Sequence, residues 1–109
     1  MAYDEGQAQT LRDDLADLDD VVERRMFGGL AFLHRGHMVC GAMQAGAMFR
    51  VGKDAVDAAL GIEGTTPIVM GGRTMGGMVR ADPAAMADDA RRGQLMALAR
   101  SFVAGLPPK

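Results

Sequence analysis

The sequence predicts an α+β fold: an antiparallel sheet of about six strands with three flanking helices, in the order α-β-β-β-β-α-β-β-α. Three observations predict it. Apolar residues recur at helical spacing near both ends, at Ala8, Leu11, Leu15, Leu18 and Val22 and again at Leu95, Leu98, Ala99, Phe102 and Val103. Between the ends, runs of Val, Met, Phe and Leu are cut by Gly28, Gly29, Gly36, Gly41 and Gly46, too short for helices and bounded by breakers. The gaps between these runs are two or three residues long, and gaps so short join only antiparallel neighbours. A chain of 109 residues holds one core, so residues 1–109 are expected to form one domain.

The first helix is placed at about residues 5–18, with Asp4 as N-cap and Gln7 reaching back toward it. Aspartates at 17–20 stop it, because Asp is a poor helix former at a C-terminus. Strands are placed at 21–27, 30–34, 37–43 and 47–51, joined by turns at Gly28-Gly29, Arg35-Gly36 and Gln44-Ala45-Gly46. A short helix at 53–60 is expected to end with Gly61 in the left-handed conformation. Two more strands, 67–70 and 77–81, flank a turn at Gly71-Gly72-Arg73-Thr74. Asp82-Pro83 is a helix start, since the aspartate caps and the proline gives up no hydrogen bond at the first helical position. Gly93 weakens the early part of this last helical stretch, so a loose turn is expected at 83–87 and the main helix at 88–104, ended by Gly105 and Pro107-Pro108.

With 49% apolar and 24% charged residues the chain is neither disordered nor collagen-like. No apolar run reaches the ~20 residues of a membrane span. The acidic start lacks the basic and apolar segments of a signal peptide, and the single cysteine, Cys40, forms no internal disulfide. A cytoplasmic protein with no membrane partner is expected. Charge is uneven: residues 1–20 carry −6, residues 21–81 carry +3 and residues 82–109 carry +1. The plain reading is a solvated acidic helix beside a mildly basic sheet, and the functional one is a polarised surface that selects a charged partner.

Chemistry-bearing patterns are sparse. A turn at Arg35-Gly36 makes His34 and His37 cross-strand neighbours, but Cys40, an odd step beyond His37, falls on the opposite face unless a bulge intervenes. Two histidines are an incomplete zinc site, so no metal is expected. Ten methionines and no tryptophan describe a flexible core, with Met70, Met75 and Met78 around the glycine-rich turn offering an adaptable contact surface and no copper-binding spacing. The run Gly71 to Gly77 has neither phosphate-loop pattern, which leaves a hairpin turn with Arg73 as an anion contact at its tip. Ser101, the only serine, has no histidine near it in sequence. No catalytic residue and no cofactor is expected.

Four segments in order, Arg25-Met26-Phe27-Gly28-Gly29, Met48-Phe49-Arg50-Val51-Gly52, Gly72-Arg73-Thr74-Met75-Gly76-Gly77 and Leu106-Pro107-Pro108-Lys109, resemble the N-terminal domain of the TfoX/Sxy family over nearly the whole chain. Thr74 stands where that family commonly has proline, and Met78 where it commonly has an aromatic residue. The resemblance implies a small α+β domain, and a link to regulators of natural competence that act with a cyclic-AMP-responsive transcription factor. Those regulators carry a second, C-terminal helical domain; the expectation for this chain is a stand-alone N-terminal domain, with no catalytic residues carried over.

The leading expectation is a non-enzymatic interaction module acting through protein contacts in transcriptional regulation or an unrelated cytoplasmic pathway, with a transcription factor as the candidate partner class. Arg25, Phe27, Arg73 and Met75 are the candidate interaction residues, because large or charged side chains on turns serve recognition more often than folding. A homodimer is expected, and no duplex DNA binding by the chain alone. Two alternatives stand beside it: direct nucleic-acid binding if Arg24, Arg35, Arg50 and Arg73 share a face, and a small-molecule enzyme with a pocket between the sheet and the last helix.

Overall fold

Asp4 sits in extended backbone and accepts the Gln7 amide hydrogen on Oδ1 at 2.9 Å, which starts α1 (Glu5–Asp14). Gln7 therefore contributes its backbone to the cap. The computed structural model describes residues 3–26 and 28–107. The first helix ends sooner than expected: the chain turns after Asp14, while the carboxylates of Asp14 and Asp17 reach across to Arg92 and Arg100.

Six strands form one antiparallel sheet in the order β1-β2-β3-β4-β6-β5: β1 (Val21–Met26), β2 (Gly29–His34), β3 (His37–Ala42), β4 (Ala47–Arg50), β5 (Thr65–Met70) and β6 (Arg73–Ala81). Between β4 and β5 lie a 3-10 turn (Lys53–Ala55) and α2 (Val56–Leu60). α2 ends at Leu60 with Gly61 as its cap, as expected, but Gly61 is in right-handed backbone at φ −74, and the left-handed residue is Gly64 at φ 87. The β5–β6 turn is also tighter than expected. Gly71 and Gly72 both have positive φ (59 and 78), the requirement of a two-residue hairpin loop, so Arg73 and Thr74 already belong to β6.

Two helices complete the described chain, α3 (Pro83–Ala87) and α4 (Asp89–Ala104), where one loose turn and one helix were expected. The separation is local: Asp88 takes extended backbone (φ −95, ψ 110) and accepts the Ala90 and Arg91 amides. That makes it an N-cap, which by construction is not helical.

All four of these helices contribute to one face of the sheet. Leu11 and Leu15 from the first helix segment, Ala59 from α2, Met86 from α3 and Leu95, Ala99 and Val103 from α4 pack with Phe32, Phe49 and Val79. The other face holds a second cluster, Ala31, Leu33, Met38, Met48, Ile68 and Met78, flanked by Met26, Met43, Met70 and Met75. Every residue from Gly29 to Leu33 is buried, because β2 is covered on both sides. In a flat sheet β1 and β6 would stand about 19 Å apart. Yet Arg24 and Met26 of β1 line one cavity with Gly76 and Met78 of β6, so the sheet curls around its methionine face.

Candidate functional site

Of the candidate interaction residues, Arg25 is exposed on β1 opposite Leu30, which puts it on the helix side of the sheet. Arg73 is exposed at the first position of β6, opposite Met70. Met75 is half-buried against the methionine cluster. Phe27 lies outside the described residues. The structure does not gather these residues into one site: Arg25 is on the helix side of the edge strand β1, and Arg73 and Met75 are on the inner strand β6. Met78, read as part of a contact surface, is buried with Met38 and Met48.

The arginines divide sharply by location. Those on helices are paired: Arg12 with Glu23 at 2.6 Å, Arg91 with Asp88 at 3.1 Å, Arg92 with Asp14 at 2.7 Å and Arg100 with Asp17 at 2.7 Å. Arg12 holds the Glu23 carboxyl below its ordinary range, and Arg100 does the same to Asp17. The acidic first segment is thus partly spent inside the molecule. Arg24, Arg25, Arg35, Arg50, Lys53 and Arg73, on the sheet and its turns, face no carboxylate within 4 Å among the described residues. Net charge understates how cationic the sheet surface is.

A cavity of about 560 Å³ lies between the end of β4 and α4. Its walls are Arg50, Gly52, Lys53 and Asp54 on one side, Gly76 and Gly77 on another, and Leu98, Ser101 and Phe102 of α4. Three features build it. The amides of Val51 and Gly52 both donate to the Gly77 carbonyl at 2.9 Å, tying β4 to β6. The β5–β6 pairing passes from Val69↔Thr74 to Pro67↔Val79, so Met75 to Met78 arch away from β5 opposite Ile68, with Gly77 at φ 79, while Met78 stays paired with Arg50 of β4. Gly52, at φ 87, lies so close under the Phe102 ring that a Cβ there would overlap it. Arg50 stacks its guanidinium 5.3 Å from the centre of the same ring.

Arg50 and Gly76 also line a second cavity of about 380 Å³, whose other walls include Arg24, Leu33, Met38 and Met78. Of the four arginines whose common face would favour nucleic acid, Arg24 and Arg50 meet here, while Arg35 and Arg73 line neither cavity. Sequence reasoning did not single out Arg50, Lys53 and Phe102 as one site. A signal was present, since two of the four family-like segments end in Arg50-Val51-Gly52 and Gly76-Gly77, and these are the ones that meet.

The His34, His37 and Cys40 arrangement departs from expectation. A bulge sets Phe32 opposite Cys40 and Leu33 opposite Met38, leaving Val39 as the extra residue. Cys40 therefore turns to the helix side with Phe32 rather than away from His37. Its thiol is fully buried, which pushes its pKa far up. No group of three metal-ligating side chains occurs among the described residues. His37 bonds the Pro107 carbonyl through Nε2 at 2.6 Å, and His34 lines a small cavity with Ser101 that sequence distance had hidden. Among the described residues no hydrogen bond joins His34 to Ser101, and His34 Nδ1 is buried without a partner.

Neither the curated proteins nor the solved structures compared with the chain gave a match. A family model does match, that of the TfoX N-terminal domain, over residues 13–103. That span runs from the end of α1 through the whole sheet to the last turn of α4, and it contains the sheet's contribution to both core clusters and the arch that walls the cavity. The chain belongs to the TfoX N-terminal domain family.

Proposed function

We propose that this domain is a non-catalytic interaction module of the competence-regulator type, working in the cytoplasm by holding an acidic surface of a partner protein, with a transcription factor as the partner class the family points to. One observation carries the reading: the helix arginines are neutralised internally, whereas Arg24, Arg25, Arg35 and Arg73 stand on the sheet and its turns without a carboxylate among the described residues. Exposed cations kept free of internal partners favour encounter with a complementary surface and fix its register. No described helix is long and apolar enough to cross a membrane.

The test is affinity purification of the chain from its native cells, with nuclease treatment before elution. A stoichiometric protein, retained after nuclease and lost with Arg25→Glu plus Arg73→Glu, is the expected result. Retention that nuclease abolishes would favour the nucleic-acid reading, and retention indifferent to both substitutions would remove these arginines from the interface. Self-association is the second reading, favoured by Val22 and Val69, the large exposed hydrophobics, which are 51% and 62% accessible and sit on the two edge strands. Sedimentation equilibrium at micromolar concentration separates dimer from monomer.

A further inference from the structure

We propose that the cavity between β4, the β6 arch and α4 is a binding site for a small molecule that joins an anionic group to a planar, apolar body. Its volume of about 560 Å³ is that of a small-ligand pocket. The wall chemistry is divided in the way such a ligand requires. Leu98 and Phe102 give an apolar and aromatic side, and Arg50 and Lys53 supply two cations against a single acid, Asp54. Neither cation is hydrogen-bonded or ion-paired among the described residues, so an incoming anion displaces no internal partner. The cation–π stack on Phe102 holds the Arg50 guanidinium with its edge donors available, a pre-organised fork for a carboxylate or phosphate.

The backbone is shaped to the same end. Gly52, Gly76 and Gly77 line the cavity without side chains, and the doubly accepting Gly77 carbonyl turns that oxygen toward β4 and away from an anion. Arg73 at the hairpin tip, the anion contact suggested by the glycine-rich run, is not on these walls. The glycines of that run serve the cavity instead, through the arch.

This inference stands apart from the protein-contact reading, and its experiment needs no partner. Isotope-labelled chain is titrated with naphthyl phosphate, naphthoate and neutral naphthalenemethanol, following the amide resonances of Gly52, Gly76 and Gly77. Both anions are expected to shift these resonances at concentrations about tenfold below the neutral compound. A tighter phosphate assigns a phosphate ester, and a tighter naphthoate a carboxylate. Arg50→Met is expected to weaken the anions about tenfold and leave naphthalenemethanol unchanged, while Arg73→Met, outside the cavity, changes neither. Should Arg50→Met lose its dispersed spectrum, Lys53→Met, at an exposed position, decides in its place. Equal binding of anionic and neutral probes, unmoved glycine resonances, or a Lys53→Met variant that binds the anions as tightly as the native chain would overturn the proposal.

Discussion

At Gly52 a left-handed backbone (φ 87) coincides with an aromatic ring laid against the Cα. Gly52→Ala must place a Cβ in a conformation that costs L-residues about 1–3 kcal/mol, and must also push Phe102 aside. A loss of about 2 kcal/mol or more is expected, read as a lower urea midpoint with an unchanged slope. Cys40 is a second case in which position overrides chemistry. Burial raises its pKa, so the native thiol is expected to resist a disulfide reagent that titrates it fully in denaturant. The linkage has the sign of a raised acid: the neutral thiol stabilises the fold below the ordinary thiol pKa, and that contribution declines as alkaline pH ionises the unfolded chain first.

Among elements, α1 and α4 are joined over the sheet by Asp14–Arg92 and, just past the end of α1, by Asp17–Arg100, and α1 is joined to β1 by Arg12–Glu23. The carboxyls of Asp17, Glu23 and Asp88 all lie below their ordinary range, the first two through arginine hydrogen bonds and Asp88 through the Arg91 amide and then its side chain. A depressed carboxylate gives stability that is present above its unfolded pKa and lost as pH falls through the folded one. Urea midpoints are therefore expected to hold near neutrality and to fall below about pH 4. Arg12→Met is expected to cost at most about 1 kcal/mol at neutral pH, because the pair is half-exposed, and to shrink the acid-side fall by the Glu23 share. A variant with the full acid-side fall would show that the pair is not coupled to folding.

For the molecule as a whole, the curled sheet encloses a methionine core on one side and carries its helices on the other, which leaves the unpaired cations dispersed. Arg24 and Arg50 share a cavity, Arg25 projects on the helix side, and Arg73 stands at a hairpin tip. Duplex DNA affinity comes from many cations neutralising adjacent phosphates, and two convergent arginines supply few. The isolated chain is expected to show no submicromolar binding to labelled duplex by fluorescence anisotropy at about 150 mM salt. Tight binding abolished by Arg50→Ala and Arg73→Ala would contradict this.

The features that the sequence determined by itself are those that depend on near neighbours. The α+β class, the antiparallel order of β1 to β4, the Asp4 and Asp82 caps and the main body of α4 all come from spacing, turn chemistry and side-chain-to-amide bonds that span at most a few residues. The family was legible too, in short segments of which the first three lie inside the matched span of residues 13–103. Only the tertiary structure decided the rest. The Val39 bulge, which reversed the side taken by Cys40, and the Met75 to Met78 arch depend on how two strands share curvature, and no local pattern encodes that. The pairing of Asp14 and Asp17 at and just past the end of α1 depended on arginines some eighty residues away, and with it the electrostatics of the acidic segment. The cavity depended on three separated stretches, Arg50 to Asp54, Gly76-Gly77 and Leu98 to Phe102, meeting where β4 ends. Each stretch alone is a turn or a helix face; their chemistry exists only once the sheet has curled and α4 has docked.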